Sequence, residues 1–122
     1  MTDAPRLTTH VLDLTSGRPA AGVRLVLSRL EPATASPLAS TTTNADGRTD
    51  DPLLTGPDLS PGRYELAFSV GEYFARQSGG AEAAPLPYLD VVPIHFGVSA
   101  GAGHLHVALL VTPWSYTTYR GS

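Results

Sequence analysis

Two histidines spaced two residues apart, His104 and His106, are the side chains in this 122-residue sequence best placed by type and spacing for chemistry. They open the run H-L-H-V-A-L-L-V-T-P, which alternates with the two-residue period of a β-strand. Leu105, Val107, Leu109 and Val111 make one unbroken branched aliphatic face, which must be the core face. His104 and His106 therefore turn away from the core, side by side and ~7 Å apart. A His-x-His pair on a strand can ligate a metal through neutral imidazole, or it can move protons near neutral pH. A pair of solvated surface histidines fits the same pattern. Pro113 closes the strand because it cannot donate a ladder hydrogen bond. The chain then runs through Trp114, Tyr116 and Tyr119 to Arg120-Gly121-Ser122. Three aromatics in these last nine positions point to a tail that is held in place rather than frayed.

The other candidates carry less on their own. His10 is a lone histidine on a mixed face, which fits a partly buried, satisfied side chain. His95, flanked by Ile94 and Phe96, reads as a polar-face residue without a role. Arg48, just after an Asp-Gly turn, and Arg120, in the tail, read as solvated charges. There is no cysteine, so disulfides, thiolate catalysis and Cys-ligated zinc are excluded. No G-x-S-x-G elbow signals a serine nucleophile.

The elements that must position these residues are short strands. Residues 6–14 read as a first strand, Ser16–Pro19 as a turn, 23–30 as a second strand and 31–37 as a loop. A Thr-rich strand over 38–43 ends at Asn44-Ala45-Asp46-Gly47, where Asp-Gly supplies the positive-φ residues of a tight hairpin. Prolines and glycines over 51–62 leave room for one very short strand near Leu53-Leu54. The clearest alternation follows: Tyr64, Leu66, Phe68 and Val70 inward, with Arg63, Glu65, Ala67 and Ser69 outward. Residues 72–77 can form one or two helical turns, the only helix expected. Residues 78–88 read as a Gly/Ala/Pro loop. A strand over 89–98 carries Pro93, which implies an edge or a bulge. Seven or eight short strands at this spacing predict an all-β sandwich.

Hydrophobic residues make up 42% of the chain and charged residues 16%, with 12 glycines and 11 prolines. That balance suits one turn-rich β domain, long enough to bury roughly two thirds of its unfolded surface. A net charge of -3 without runs of like charge argues against nucleic acid or an anionic membrane as partner. The N-terminal Met-Thr-Asp-Ala-Pro has neither a charged nor an apolar leader region, and no apolar run approaches membrane-spanning length. The expectation is a soluble, cytoplasmic protein.

Three stretches lift His10 and Arg48 out of the background: L-T-T-H-V-L-D-L-T-S-G-R-P-A-A-G-V from Leu7, T-N-A-D-G-R from Thr43, and Y-T-T-Y-R-G-S from Tyr116. Together they resemble the 5-hydroxyisourate hydrolases, the transthyretin-like enzymes of urate degradation. The resemblance implies a single domain over 1–122, a sandwich of two four-stranded sheets with one short helix, and a homotetramer with sites where subunits meet. It implies hydrolysis of 5-hydroxyisourate to 2-oxo-4-hydroxy-4-carboxy-5-ureidoimidazoline, without cofactor or metal. By position, His10, Arg48, His106 and Ser122 would be catalytic, and His104, Tyr119, Arg120 and Gly121 would bind substrate. In that arrangement His106 is the base, His10 orients the water or shuttles the proton, and Arg48 stabilises the oxyanion. Ser122 would hold substrate or water, while Tyr119 and Arg120 fix the tail. His95 matches nothing in the motif. The segment here is H-L-H-V-A where the family reads H-Y-H-V-P, which keeps both histidines. Two alternatives stand beside this reading: a zinc hydrolase built on His10, His104 and His106, and a non-catalytic carrier of a small apolar ligand.

Overall fold

The computed structural model describes residues 4–30, 35–79 and 86–121. Its strands are β1 (Arg6–Asp13), β2 (Arg18–Pro19), β3 (Arg24–Leu30), β4 (Ala35–Thr42), β5 (Leu54–Thr55), β6 (Gly62–Ser69), β7 (Val91–Val98), β8 (Leu105–Val111) and β9 (Tyr116–Gly121). The helix α1 spans Val70–Gln77, and a 3₁₀ turn covers Gly56–Asp58. They form the expected sandwich. One sheet follows the order β2-β1-β8-β9, with β5 also pairing along β1; the other follows β4-β3-β6-β7. Among the described residues every strand pairing is antiparallel except β1 with β8, which run parallel.

Alternation in the sequence decides which side chains meet between the sheets. Leu7 and Val11 of β1, Leu25 and Leu27 of β3, Tyr64, Leu66 and Phe68 of β6, and Leu109 and Val111 of β8 are fully buried in one cluster. Burial of this kind stabilises by about 1.5–3 kcal/mol per large side chain. Pro93 sits in β7, the edge strand next to β6, where a missing N–H costs no ladder bond. Among the described residues no helix is long and apolar enough to cross a membrane.

Several boundaries differ from the sequence reading, each for a local reason. β4 begins at Ala35, so Ala35–Pro37 are strand rather than loop; β4 is also an edge, and a bulge between Leu27 and Ser28 accommodates its proline. The helix begins at Val70, two residues earlier than expected, and keeps Val70 in the core. At the Asn44–Gly47 turn only Gly47 has positive φ, at 74°. The turn is not a strand-to-strand hairpin within one sheet: it carries the chain from β4 to a bridge with β1 in the other sheet. Residues 80–85 of the expected loop lie outside the described residues.

Buried polar groups fasten these elements. Asp13 is 3% exposed, and its Oδ1 accepts the N–H of Thr15 at 2.8 Å while Oδ2 accepts the Tyr73 hydroxyl at 2.8 Å. This ties the end of β1 to α1. Burial, and then hydrogen bonding to Asp13, push the Tyr73 hydroxyl up to about 12. Thr9 donates to Val107 O at 2.7 Å, locking β1 to β8 from the core side.

Candidate active site

β8 lies at the centre of its sheet, between β1 and β9. Directly opposed residues of neighbouring strands share a face, so the register lays out the outer surface rung by rung. One rung is Thr8, His106 and Gly121; the next is His10, Ala108 and Tyr119. The bridge between His10 and Arg48 extends that second rung outward by one residue. The register therefore gathers His10, Arg48, His106, Tyr119 and Gly121 on one face, though the chain supplies them from four separate segments.

The two imidazole rings stand 6.4 Å apart, tilted by 42°. His106 Nδ1 lies 2.7 Å from the Thr8 hydroxyl. On its other side the ring rests directly against Gly121; a methyl group built there would overlap Cδ2 and stand 3.2 Å from Cγ. With Nδ1 against β1 and Cδ2 against β9, the Cε1–Nε2 edge of the ring points away from the sheet.

Arg48 reaches this face because its loop is knitted to β1. Asn44 Oδ1 accepts the N–H groups of Asp46 at 2.9 Å and Arg48 at 3.2 Å, and the Asn44 N–H donates to Arg48 O at 2.7 Å. Val11 N–H donates to Gly47 O at 2.8 Å. Gly47 is required twice over, by its positive φ and by a Cβ position that would press on the β1 backbone and stand 3.1 Å from Pro19 Cβ.

The electrostatics favour neutral histidines. Burial lowers the pKa of His106 below its ordinary value, the Arg48 cation lowers it further, and His10 adds to this. Burial and then Arg48 lower His10 in the same way, against an opposing pull from Asp46. A neutral imidazole with a second imidazole beside it has the chemistry to take a proton from water, and an arginine fork has the donors to hold an oxyanion.

Other residues singled out by the sequence fall elsewhere. His104 lies just before β8, and its Nδ1 accepts the Arg6 N–H at 3.1 Å. Arg120 opposes Val107, so it lies on the opposite face from His106, where its guanidinium donates to His104 O at 3.3 Å. Arg120 lines a cavity of about 410 Å³ at the sandwich edge with Ile94, Phe96, Leu105, Val107 and Thr118. His106 and Tyr119 line it as well, among mainly apolar neighbours. The tail is indeed held, as the edge strand β9, with the Thr118 hydroxyl donating to Ala108 O at 2.8 Å. Trp114, Tyr116 and Tyr119 are exposed at 72%, 42% and 55% in the single chain. Ser122 lies outside the described residues. His95 sits on the other sheet, paired with Glu65 at 2.9 Å. Among the described residues no three or more His, Asp or Glu side chains group to hold a metal, so His10, His104 and His106 do not converge as the zinc alternative requires. Thr8 and Asn44 were missed: Thr8 meets His106 only through a pairing 98 residues apart, whereas the Asn44 turn was visible and its grip on Arg48 was not.

The HIUase/Transthyretin family model matches residues 7–121. A 5-hydroxyisourate hydrolase of Deinococcus radiodurans is 52% identical over the full length of both chains. Klebsiella pneumoniae 5-hydroxyisourate hydrolase superposes with a TM-score of 0.76 at 36% identity, covering 97% of this chain and 99% of that one. An (S)-allantoin synthase superposes with a TM-score of 0.86 at 44% identity, covering 98% of this chain and 44% of that longer one.

Proposed function

The chain belongs to the HIUase/transthyretin family, and on that premise we propose that it hydrolyses 5-hydroxyisourate to 2-oxo-4-hydroxy-4-carboxy-5-ureidoimidazoline. The observation that carries the chemistry is the pair of imidazoles 6.4 Å apart beside Arg48 on one sheet face. His106 takes a proton from water as the oxygen attacks the ring amide carbon, and His10 orients that water. The carbonyl oxygen becomes an oxyanion, which the planar donors of Arg48 stabilise. Collapse of the tetrahedral adduct breaks the C–N bond, and the His106 imidazolium returns its proton to the leaving nitrogen. Ser122, next after Gly121 in the sequence, offers a hydroxyl to hold substrate or water.

The same face is open in a single protomer, with Arg48 and Tyr119 exposed. A homotetramer whose subunits meet over this face would close the pocket and cover the aromatic tail. The carrier alternative calls for an apolar lining, which a face of histidines and arginine does not give. The deciding experiment adds the protein to 5-hydroxyisourate freshly generated from urate. Faster loss of substrate absorbance than the spontaneous rate is the expected result, and His106→Ala should lose at least ~10²-fold in kcat while remaining folded. An unchanged decay rate on adding wild-type protein overturns the proposal.

A further inference from the structure

We propose that the Thr8 hydroxyl is a positioning group that holds His106 as its Nδ1–H tautomer and so keeps the Nε2 lone pair facing substrate. The inference rests on the reading of His106 as the base.

A neutral imidazole has one proton and two places to carry it, and the hydrogen bond at one nitrogen decides which. His106 Nδ1 has its partner, Thr8 Oγ1, at 2.7 Å. Gly121 packs against the other side of the ring, so the imidazole is seated between β1 and β9 with Nδ1 on the Thr8 side. Nε2 is then the nitrogen aimed outward, and a base must present it unprotonated. The proton accordingly sits on Nδ1 and is donated to Oγ1. Thr8 is partly exposed, so its own hydroxyl hydrogen can turn to solvent or substrate. The nearby Arg48 cation disfavours a second proton on the ring.

His104 supplies the contrast. Its Nδ1 accepts from the main-chain N–H of Arg6 at 3.1 Å, a group that can only donate. Neutral His104 must therefore carry its proton on Nε2. Two histidines at i and i+2 are thus set as opposites, one presenting a donor and the other an acceptor.

Nitrogen-15 NMR of the imidazoles in the full-length protein reads this directly. The expected spectrum has His106 protonated at Nδ1 and His104 protonated at Nε2, so each serves as reference for the other. A His106 protonated at Nε2 overturns the tautomer assignment while leaving His106 in the site. Thr8→Val removes the hydroxyl but keeps the shape and the strand preference. It should lower kcat by about tenfold to a hundredfold, with KM unchanged and a mixed His106 tautomer. Thr8→Ser should restore turnover and the wild-type spectrum. Full turnover in Thr8→Val, or equal loss in the valine and serine variants, overturns the positioning role. Full turnover in His106→Ala instead removes the base assignment beneath it, which separates the two failures.

Discussion

Replacing Gly121 by alanine puts a methyl group where the His106 ring already lies. Gly121 opposes His106 across the β8–β9 ladder, and its backbone is ordinary strand, so the substitution meets no φ penalty there. What it meets is the ring: the added carbon would overlap Cδ2 and stand 3.2 Å from Cγ and 3.5 Å from Cβ. Ordinary carbon contacts need about 3.5–4.0 Å, so either the imidazole swings by about 1 Å or the end of β9 lifts by as much. A misplacement of about 1 Å costs about 10²-fold in rate, or about 2.7 kcal/mol in the barrier. Stability should change far less, because β9 is an edge strand and Gly121 packs on nothing else so closely. The assay is kcat/KM on freshly generated 5-hydroxyisourate, with a thermal melt of the same sample. A drop of about two orders of magnitude with a near-native melt is expected. Wild-type turnover with a native melt would refute the claim that the ring must stand where it packs on Gly121.

Arg48→Gln removes a cation that lowers both histidines, so the acid limb of the kcat/KM profile should move to higher pH while kcat falls; an unmoved limb would detach Arg48 from the pair. His10 and His106 both have folded pKa values below the ordinary imidazole value of ~6.5. Just below that pH the unfolded chain binds more protons, so stability holds above it and declines as pH falls through it to the lowered folded values. Urea midpoints between neutral and mildly acidic pH in wild type and in His10→Ala check this, and the variant should show the shallower decline. Tyr73→Phe strips the buried Asp13 carboxylate of a donor at 2.8 Å and should cost about 1–3 kcal/mol by urea titration, with activity little changed. Exhaustive chelation should leave turnover intact; a loss reversed by added zinc would revive the three-histidine metal reading.

Much of the architecture could be read in the chain because alternation is a local signal. Leu105, Val107, Leu109 and Val111 are buried as their spacing requires, and Pro93 marks an edge as its missing N–H requires. The outward turn of His106 followed from the same parity. Partnership did not, because it depends on which strands become neighbours. Thr8 touches His106 across a parallel pairing that no turn specifies, so nothing near either residue announces the other. Arg120 shows a different gap. Once the tail is known to be a strand, adjacent Tyr119 and Arg120 must face opposite ways, yet aromatic content alone marks a held tail and carries no strand parity. Resemblance supplied His10 and Arg48 as a pair; the bridge between them explains it physically. Asp13 and Thr9, buried with their hydrogen bonds satisfied, gave no sequence sign of lying inside.

The parallel junction of β1 with β8 closes a span of 98 residues. Contacts so remote along the chain are reached slowly, since the entropy of closure is met before any pairing repays it. The β3–β4 and β6–β7 pairings of the other sheet need much shorter closures and can assemble while the first sheet is still open. Until that sheet shuts, His10 and His106 are two distant side chains of ordinary basicity and there is no hydrolytic centre. Turnover regained during refolding therefore cannot precede that closure, however early the chain collapses.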